Sequence, residues 1–209
     1  MHTKDDGFVG TVVKDPPLKP ADVVLRDTQG QPYHLARNSP AKVTVLYFGF
    51  TRCNDVCPTT MADLAAARRA MPSAVAHRVQ VVFVTVDPRR DTPRVLEVWL
   101  NRFDPSFVGL RGPTALVHEA ERSLYADPSA IEPPGGGHHQ AAQGQDGRGQ
   151  VGQGQVGQGR GGSTGAGDYE VSHSGSVYVF GPGDTSLLYS GGTTATQYAR
   201  DFAKLLKVS

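Results

Sequence analysis

Val43-Thr44-Val45-Leu46-Tyr47-Phe48-Gly49-Phe50-Thr51-Arg52-Cys53-Asn54-Asp55-Val56-Cys57-Pro58 joins a continuous apolar run to a short loop that carries both cysteines of the 209-residue chain. Val43 to Phe50 has the length and the β-branched and aromatic content of a strand covered on both faces. A helix should follow the loop, because Met61, Leu64, Arg68 and Met71 recur at helical spacing with alanines between them. All thiol chemistry is therefore confined to one loop at the end of a strand. Two sulfurs so close in sequence can close a disulfide or hold one soft metal ion. An inert structural cystine is the weaker reading, since so short a loop restrains little chain. With Pro58 opening the helix, Cys57 falls at or beside the N-cap, where unpaired N–H groups and the helix dipole favour thiolate over thiol. Arg52 pushes in the same direction.

Working outward, strand and helix signals alternate. Gln80 to Val86 reads as a second buried strand. Asp91-Thr92-Pro93 reads as a cap with proline in the first turn, opening a helix whose Val95, Leu96, Trp99 and Phe103 share a face. Another helix is expected from about Thr114 to Tyr125. Ser176 to Phe180 and Ser186 to Tyr189 flank Gly181-Pro182-Gly183-Asp184 and should form a hairpin, followed by a last amphipathic helix carrying Tyr198, Phe202, Leu205 and Leu206. The order βαβα, then ββα, is that of an α/β, thioredoxin-like fold: a central mixed sheet flanked by helices, with a C-terminal β-hairpin.

The stretch from Pro133 to Gly167 breaks this pattern, with 14 of the 25 glycines, many glutamines and a short repeat in Val151-Gly-Gln-Gly-Gln and Val156-Gly-Gln-Gly-Arg. Too little apolar surface is available there to offset ordering entropy. It reads as a disordered Gly/Gln-rich insertion, residues 133–167, in a surface loop of one domain spanning 10–209, with 1–9 a disordered N-terminal remnant. His138 and His139 inside it read as solvated polar residues. A net charge of +1 with 20% charged residues gives no basic or acidic signal, so nucleic acid is not an implied partner. The longest apolar stretch, Val43 to Phe50, is far too short to cross a bilayer, and Met1-His2-Thr3-Lys4-Asp5-Asp6 lacks the apolar core of a secretion signal.

Ligands of open α/β sheets collect at the carboxyl ends of parallel strands. The cysteine loop follows one such strand and Asp87-Pro88-Arg89-Arg90-Asp91 follows the next, so the two loops should be neighbours. Asp87 and Asp55 are candidates to orient the site through its ligands, and Arg89 or Arg90 to meet a partner protein, against the plainer reading of turn and capping residues. His173 stands in Tyr169-Glu170-Val171-Ser172-His173-Ser174-Gly175, just before the hairpin. On residues alone, a loop histidine is more often solvated than ligating. His34, His77 and His118 read as surface residues.

Tyr47 to Pro58, then Val84-Thr85-Val86-Asp87-Pro88-Arg89-Arg90-Asp91-Thr92-Pro93, then a histidine before a C-terminal hairpin, together resemble the Sco/SenC family, from about Gly10 to Leu206. The resemblance implies a thioredoxin-like copper-binding protein that assists copper delivery to the binuclear copper centre of cytochrome c oxidase. It makes Cys53, Cys57 and His173 the metal ligands. The implied partners are the copper-bearing oxidase subunit and an upstream copper donor protein. The implied place is the extracytoplasmic face of a bacterial membrane or the periplasm, with a native form tethered to the membrane. Asn54, Arg52 and Ser172 stand where many relatives have proline, histidine and an acidic residue.

The ligand set also makes sense by itself. Two thiolates and an imidazole select a soft or borderline ion, whereas a closed structural zinc site wants four ligands. Oxidation of Cys53 and Cys57 would remove both thiolates, coupling metal loading to redox state. The competing reading is a thiol-disulfide oxidoreductase using Cys53 and Cys57 on a partner's cysteines, although an ordinary enzyme of that kind uses CxxC rather than CxxxC. A peroxiredoxin-like site is disfavoured, because Phe50 and Asn54, not threonine, stand three residues before the cysteines.

Overall fold

The structure is a computed structural model that describes residues 7–37, 43–132 and 169–207. The chain divides into two compact units, Met1–Ser129 with His173–Ser209, and Ala130–Ser172. In chain order the elements are β1 (Thr11–Val13), β2 (Val24–Asp27), β3 (Pro32–His34), β4 (Val43–Gly49), α1 (Val56–Arg69), α2 (Ser73–Ala76), β5 (Val79–Thr85), α3 (Pro93–Leu100), β6 (Val108–Arg111), α4 (Thr114–Ser123), β7 (Ala130–Glu132), β8 (Glu170–Ser172), β9 (Val177–Phe180), β10 (Ser186–Tyr189) and α5 (Ala195–Leu205). The first unit holds a mixed sheet in the order β1-β10-β9-β4-β5-β6-β2-β3. Strands β4, β5 and β6 are parallel, and antiparallel strands complete the sheet on both sides. This is the thioredoxin-like architecture expected from the order of elements. In the second unit β7 and β8 pair antiparallel, Ala130 opposite Ser172.

The two central strands run in register from Val43 opposite Val79 to Gly49 opposite Thr85. Side chains alternate between faces along a strand. Val45, Tyr47, Val81 and Phe83 join Met61 and Leu64 of α1 and Tyr198 and Phe202 of α5 in one core cluster. The intervening Leu46, Phe48, Val82 and Val84 are equally buried, which is why both strands read as unbroken apolar runs. Because both strands end at the same level, with the Val86 N–H donating to the Gly49 carbonyl at 2.8 Å, the loops that follow them start side by side.

Local chemistry sets the remaining elements. The Thr92 hydroxyl caps α3 by accepting from the Val95 N–H at 3.3 Å, with Pro93 in the first turn. The buried face of α3 is Leu96, Trp99 and Leu100. Val95, expected on that face, is 43% exposed, and Phe103 lies past the helix end with its ring edge-on to Trp99 at 4.9 Å. Gly183 turns the β9–β10 hairpin with φ of 68°, a left-handed conformation that favours glycine. Thr194 and Gln197 form a capping box on α5.

Residues 7–9 depart from the expectation of a disordered start. The Val9 and Gly10 N–H groups both donate to Asp201 Oδ2, at 2.9 and 3.0 Å, and Phe8 packs against the core beneath the Lys204 ammonium. The reading of residues 133–167 as an insertion, like that of 1–6, falls outside the described residues.

Candidate metal centre

The site is built where β4 ends. Gly49 is the last residue of β4, and a methyl group there would lie 2.9 Å from Cys57 Sγ, 2.9 Å from Tyr47 Cε1 and 3.0 Å from Phe83 Cε2. Only a residue without a side chain leaves room for the sulfur. The chain then turns, with the Cys53 N–H donating to the Phe50 carbonyl at 3.2 Å, and enters α1 at Val56. Asp55, not Cys57, is therefore the N-cap residue, and its side chain makes no capping bond. Cys57 lies inside the first helical turn, completely buried, while Cys53 is half-buried; both thiols are free.

Burial corrects the expected electrostatics of Cys57. Desolvation raises its pKa well above the usual thiol range, and a hydrogen bond with Cys53 adds to the rise. The Cys57 N–H points at Cys53 Sγ, 3.4 Å away, so the backbone donor of the first turn serves the more exposed sulfur.

His173 reaches the same spot from 116 residues away in sequence. Its Nε2 lies 3.3 Å from Cys57 Sγ, and its Nδ1 lies 3.0 Å from the Ser174 carbonyl oxygen. A carbonyl only accepts, so a proton on Nδ1 satisfies this contact and leaves the Nε2 lone pair facing the sulfurs. This backbone carbonyl fixes the ring in the way an outer carboxylate does in many metal sites. The imidazole is wedged edge-on against Tyr47 and Phe50, with centroids 6.0 and 5.5 Å away, and burial pulls its pKa down, which favours the neutral, ligating form. One ligand atom from each of Cys53, Cys57 and His173 lies within 4.8 Å of the others. Three ligands at about 2.0–2.3 Å from one ion in a trigonal arrangement stand about 3.7 Å apart, so a small contraction suffices.

The two acidic candidates lie in different surroundings. Asp87 is fully buried and pairs with Arg90, while its own N–H donates to the Thr85 hydroxyl at 3.0 Å. Asp55 is exposed, and its carbonyl accepts from the Thr59 hydroxyl at 3.2 Å. The carboxylate that braces the cysteine loop is Asp91, which the sequence presents only as part of a cap. Fully buried, it accepts from the Thr51 N–H at 3.0 Å, the Thr51 hydroxyl at 2.6 Å and the Thr85 hydroxyl at 2.6 Å. Burial raises its pKa. Thr92 and Pro93 already make a complete helix start, and that spare acid was the available signal. Tyr47 is the other unexpected participant: its hydroxyl lies 3.7 Å from Cys57 Sγ.

A family model described as SCO1/SenC matches residues 19–139, more than half of the chain. The chain belongs to the SCO1/SenC family. Among solved structures, apo Sco1 from Thermus thermophilus is 35% identical with a TM-score of 0.67, covering 99% of this chain and 98% of that one. ScoI from Bradyrhizobium japonicum, solved with copper bound, is 25% identical with a TM-score of 0.66, covering 90% of this chain and 99% of that one. The mitochondrial protein SCO1 of Saccharomyces cerevisiae is 33% identical over 116 residues, 50% of this chain and 39% of the yeast protein. The chain spans less than two thirds of the length of the curated relatives it resembles. As an SCO1/SenC member with a Cys-Cys-His cluster on a thioredoxin-like sheet, it carries the three side chains singled out from the sequence within reach of one ion.

Proposed function

We propose that this SCO1/SenC protein is a copper metallochaperone that carries one Cu(I) as cargo between Cys53 Sγ, Cys57 Sγ and His173 Nε2. The observation that carries the reading is the convergence of these three atoms within 4.8 Å, with the Ser174 carbonyl placed to accept from Nδ1 and leave Nε2 free to ligate. Two thiolates and an imidazole match a soft monovalent ion. Partial exposure of Cys53 leaves one side of the site open, so an acceptor's thiol or imidazole can attack the ion and replace the ligands one at a time. The acceptor we propose is the binuclear copper centre of cytochrome c oxidase, in its copper-bearing subunit, with an upstream protein supplying the ion. The place of action is the extracytoplasmic face of a bacterial membrane. Among the described residues no helix is long and apolar enough to cross a membrane, so tethering of the native form belongs to this proposal.

Anaerobic titration of the reduced protein with Cu(I) against a competing chelator tests it. One tightly held ion per chain, markedly weakened in His173→Ala, is the expected result. Binding no better than that of a free dithiol would refute it.

One observation favours a second reading, thiol-disulfide exchange with the acceptor's cysteines. The accessible sulfur of Cys53 receives the Cys57 N–H while the buried Cys57 stands behind it, the arrangement of an attacking and a resolving thiol. Turnover of a disulfide substrate without tight copper retention would favour this alternative.

A further inference from the structure

Tyr47 is an anomaly in its strand. Every other inward-facing position of β4 is valine or glycine, and the ring packs as phenylalanine would, against Phe83 with centroids 6.0 Å apart. Tyr47 is nevertheless a tyrosine with 0% exposure, and a buried hydroxyl is costly unless it is hydrogen-bonded. Its partners identify its role. The hydroxyl lies 3.7 Å from Cys57 Sγ, and the Thr60 hydroxyl, one turn further along α1, hydrogen-bonds the same phenolic oxygen. Gly49, two residues along the same face, leaves open the space in which oxygen and sulfur meet. The ring also sets the orientation of His173, whose imidazole meets it edge-on at 80°.

We infer that Tyr47 is a positioning residue of the metal centre, its hydroxyl donating to Cys57 Sγ and holding that sulfur in place to meet the ion. This rests on the proposed Cu(I) site and adds a fourth functional side chain that does not touch the ion. A hydrogen bond strengthens with the charge on its acceptor, so the bond counts for more on a copper-bound thiolate than on the neutral thiol of the empty site. The difference favours the loaded state. Thr60, donating to the phenolic oxygen, polarises the hydroxyl further in the same direction.

The test is Tyr47→Phe, which removes one oxygen and keeps the ring. Its Cu(I) retention against a competing chelator should fall about 3- to 10-fold. The copper–sulfur shell in copper-edge X-ray absorption of the Cu(I)-loaded protein should become longer or more disordered, because the sulfur has lost the donor that orients it. A hydroxyl that served the fold alone would leave that shell unchanged. Thr60→Val, which leaves the phenol in place, should shift both readouts less and in the same direction; it keeps the inference testable if Tyr47→Phe proves unstable. Wild-type protein that binds one Cu(I) tightly, alongside Tyr47→Phe with unchanged retention and an unchanged copper–sulfur shell, would overturn this inference and leave the proposed function standing. Wild-type protein that holds no Cu(I) beyond a free dithiol would overturn both.

Discussion

A single methyl group at Gly49 should damage both the fold and the site. In Gly49→Ala the new carbon would lie 2.9 Å from Cys57 Sγ, 2.9 Å from Tyr47 Cε1 and 3.0 Å from Phe83 Cε2, against roughly 3.5–4.0 Å for a comfortable non-bonded contact. All three neighbours are fully buried and two are rings on central strands, so none can swing into solvent. Relief requires shifts of about 0.6–1 Å, and overpacking of this kind costs about 1–3 kcal/mol. For a domain of this size each kcal/mol lowers Tm by about 2–4 °C, giving a fall of roughly 2–12 °C. The thermal melt should be paired with Gly191→Ala, where an added carbon meets nothing within 4 Å, and that control should stay within about 0.5 kcal/mol of wild type. Because one displaced atom is Cys57 Sγ itself, Cu(I) retention should fall along with stability. Gly49→Ala as stable and as copper-competent as the Gly191→Ala control would refute the argument that the glycine makes room for the sulfur.

Other expectations follow from burial and bonding. In the native apo protein iodoacetamide at pH 8 should modify half-buried Cys53 well before Cys57, whose thiol is both inaccessible and raised in pKa by burial; equal rates, measured by mass spectrometry of peptides, would contradict this. Thr51→Val keeps the shape of the side chain and removes a 2.6 Å donor to buried Asp91, so it should cost about 1–3 kcal/mol in urea unfolding and weaken Cu(I) retention, with Thr51→Ser close to wild type; identical behaviour of the two variants would remove Asp91 as the brace of the loop. Burial lowers the His173 pKa below its unfolded value near 6.5, so its contribution to stability is present above that pH and is lost as pH falls towards the folded pKa. Apo wild type should therefore lose more stability between pH 7.5 and 5.5 than His173→Gln does, and equal losses would show that the imidazole titrates freely.

What could be read in advance divides along physical lines. Long apolar runs such as Val43–Gly49 and Val79–Thr85 carry their own evidence, as does the Gly-Pro-Gly-Asp turn of the β9–β10 hairpin. The short strands β1, β2 and β3 do not, because three or four partly exposed residues give no periodic signal. Strand β6 is hidden by Gly109, a poor strand former that is accommodated there because a methyl group would strike Leu96 and Leu100 of α3. Val95 looked buried from its spacing, but the neighbours that decide which arc of α3 is covered lie on other elements. The cysteine pair was legible because its members are local in sequence. That His173 joins them was legible only through the family resemblance, since closure across 116 residues is a property of the whole sheet. Asp91 and Tyr47 are not legible as site residues in the sequence because each fits an ordinary structural role, a cap residue and a core aromatic, and the partners that give them another role lie elsewhere in the chain.

X-ray absorption at the copper edge on the anaerobically Cu(I)-loaded protein tests the central claim most directly. Two sulfur neighbours near ~2.3 Å and one imidazole nitrogen near ~2.0 Å are predicted, with the nitrogen shell lost in His173→Ala. A two-sulfur site that is the same in both proteins would contradict it.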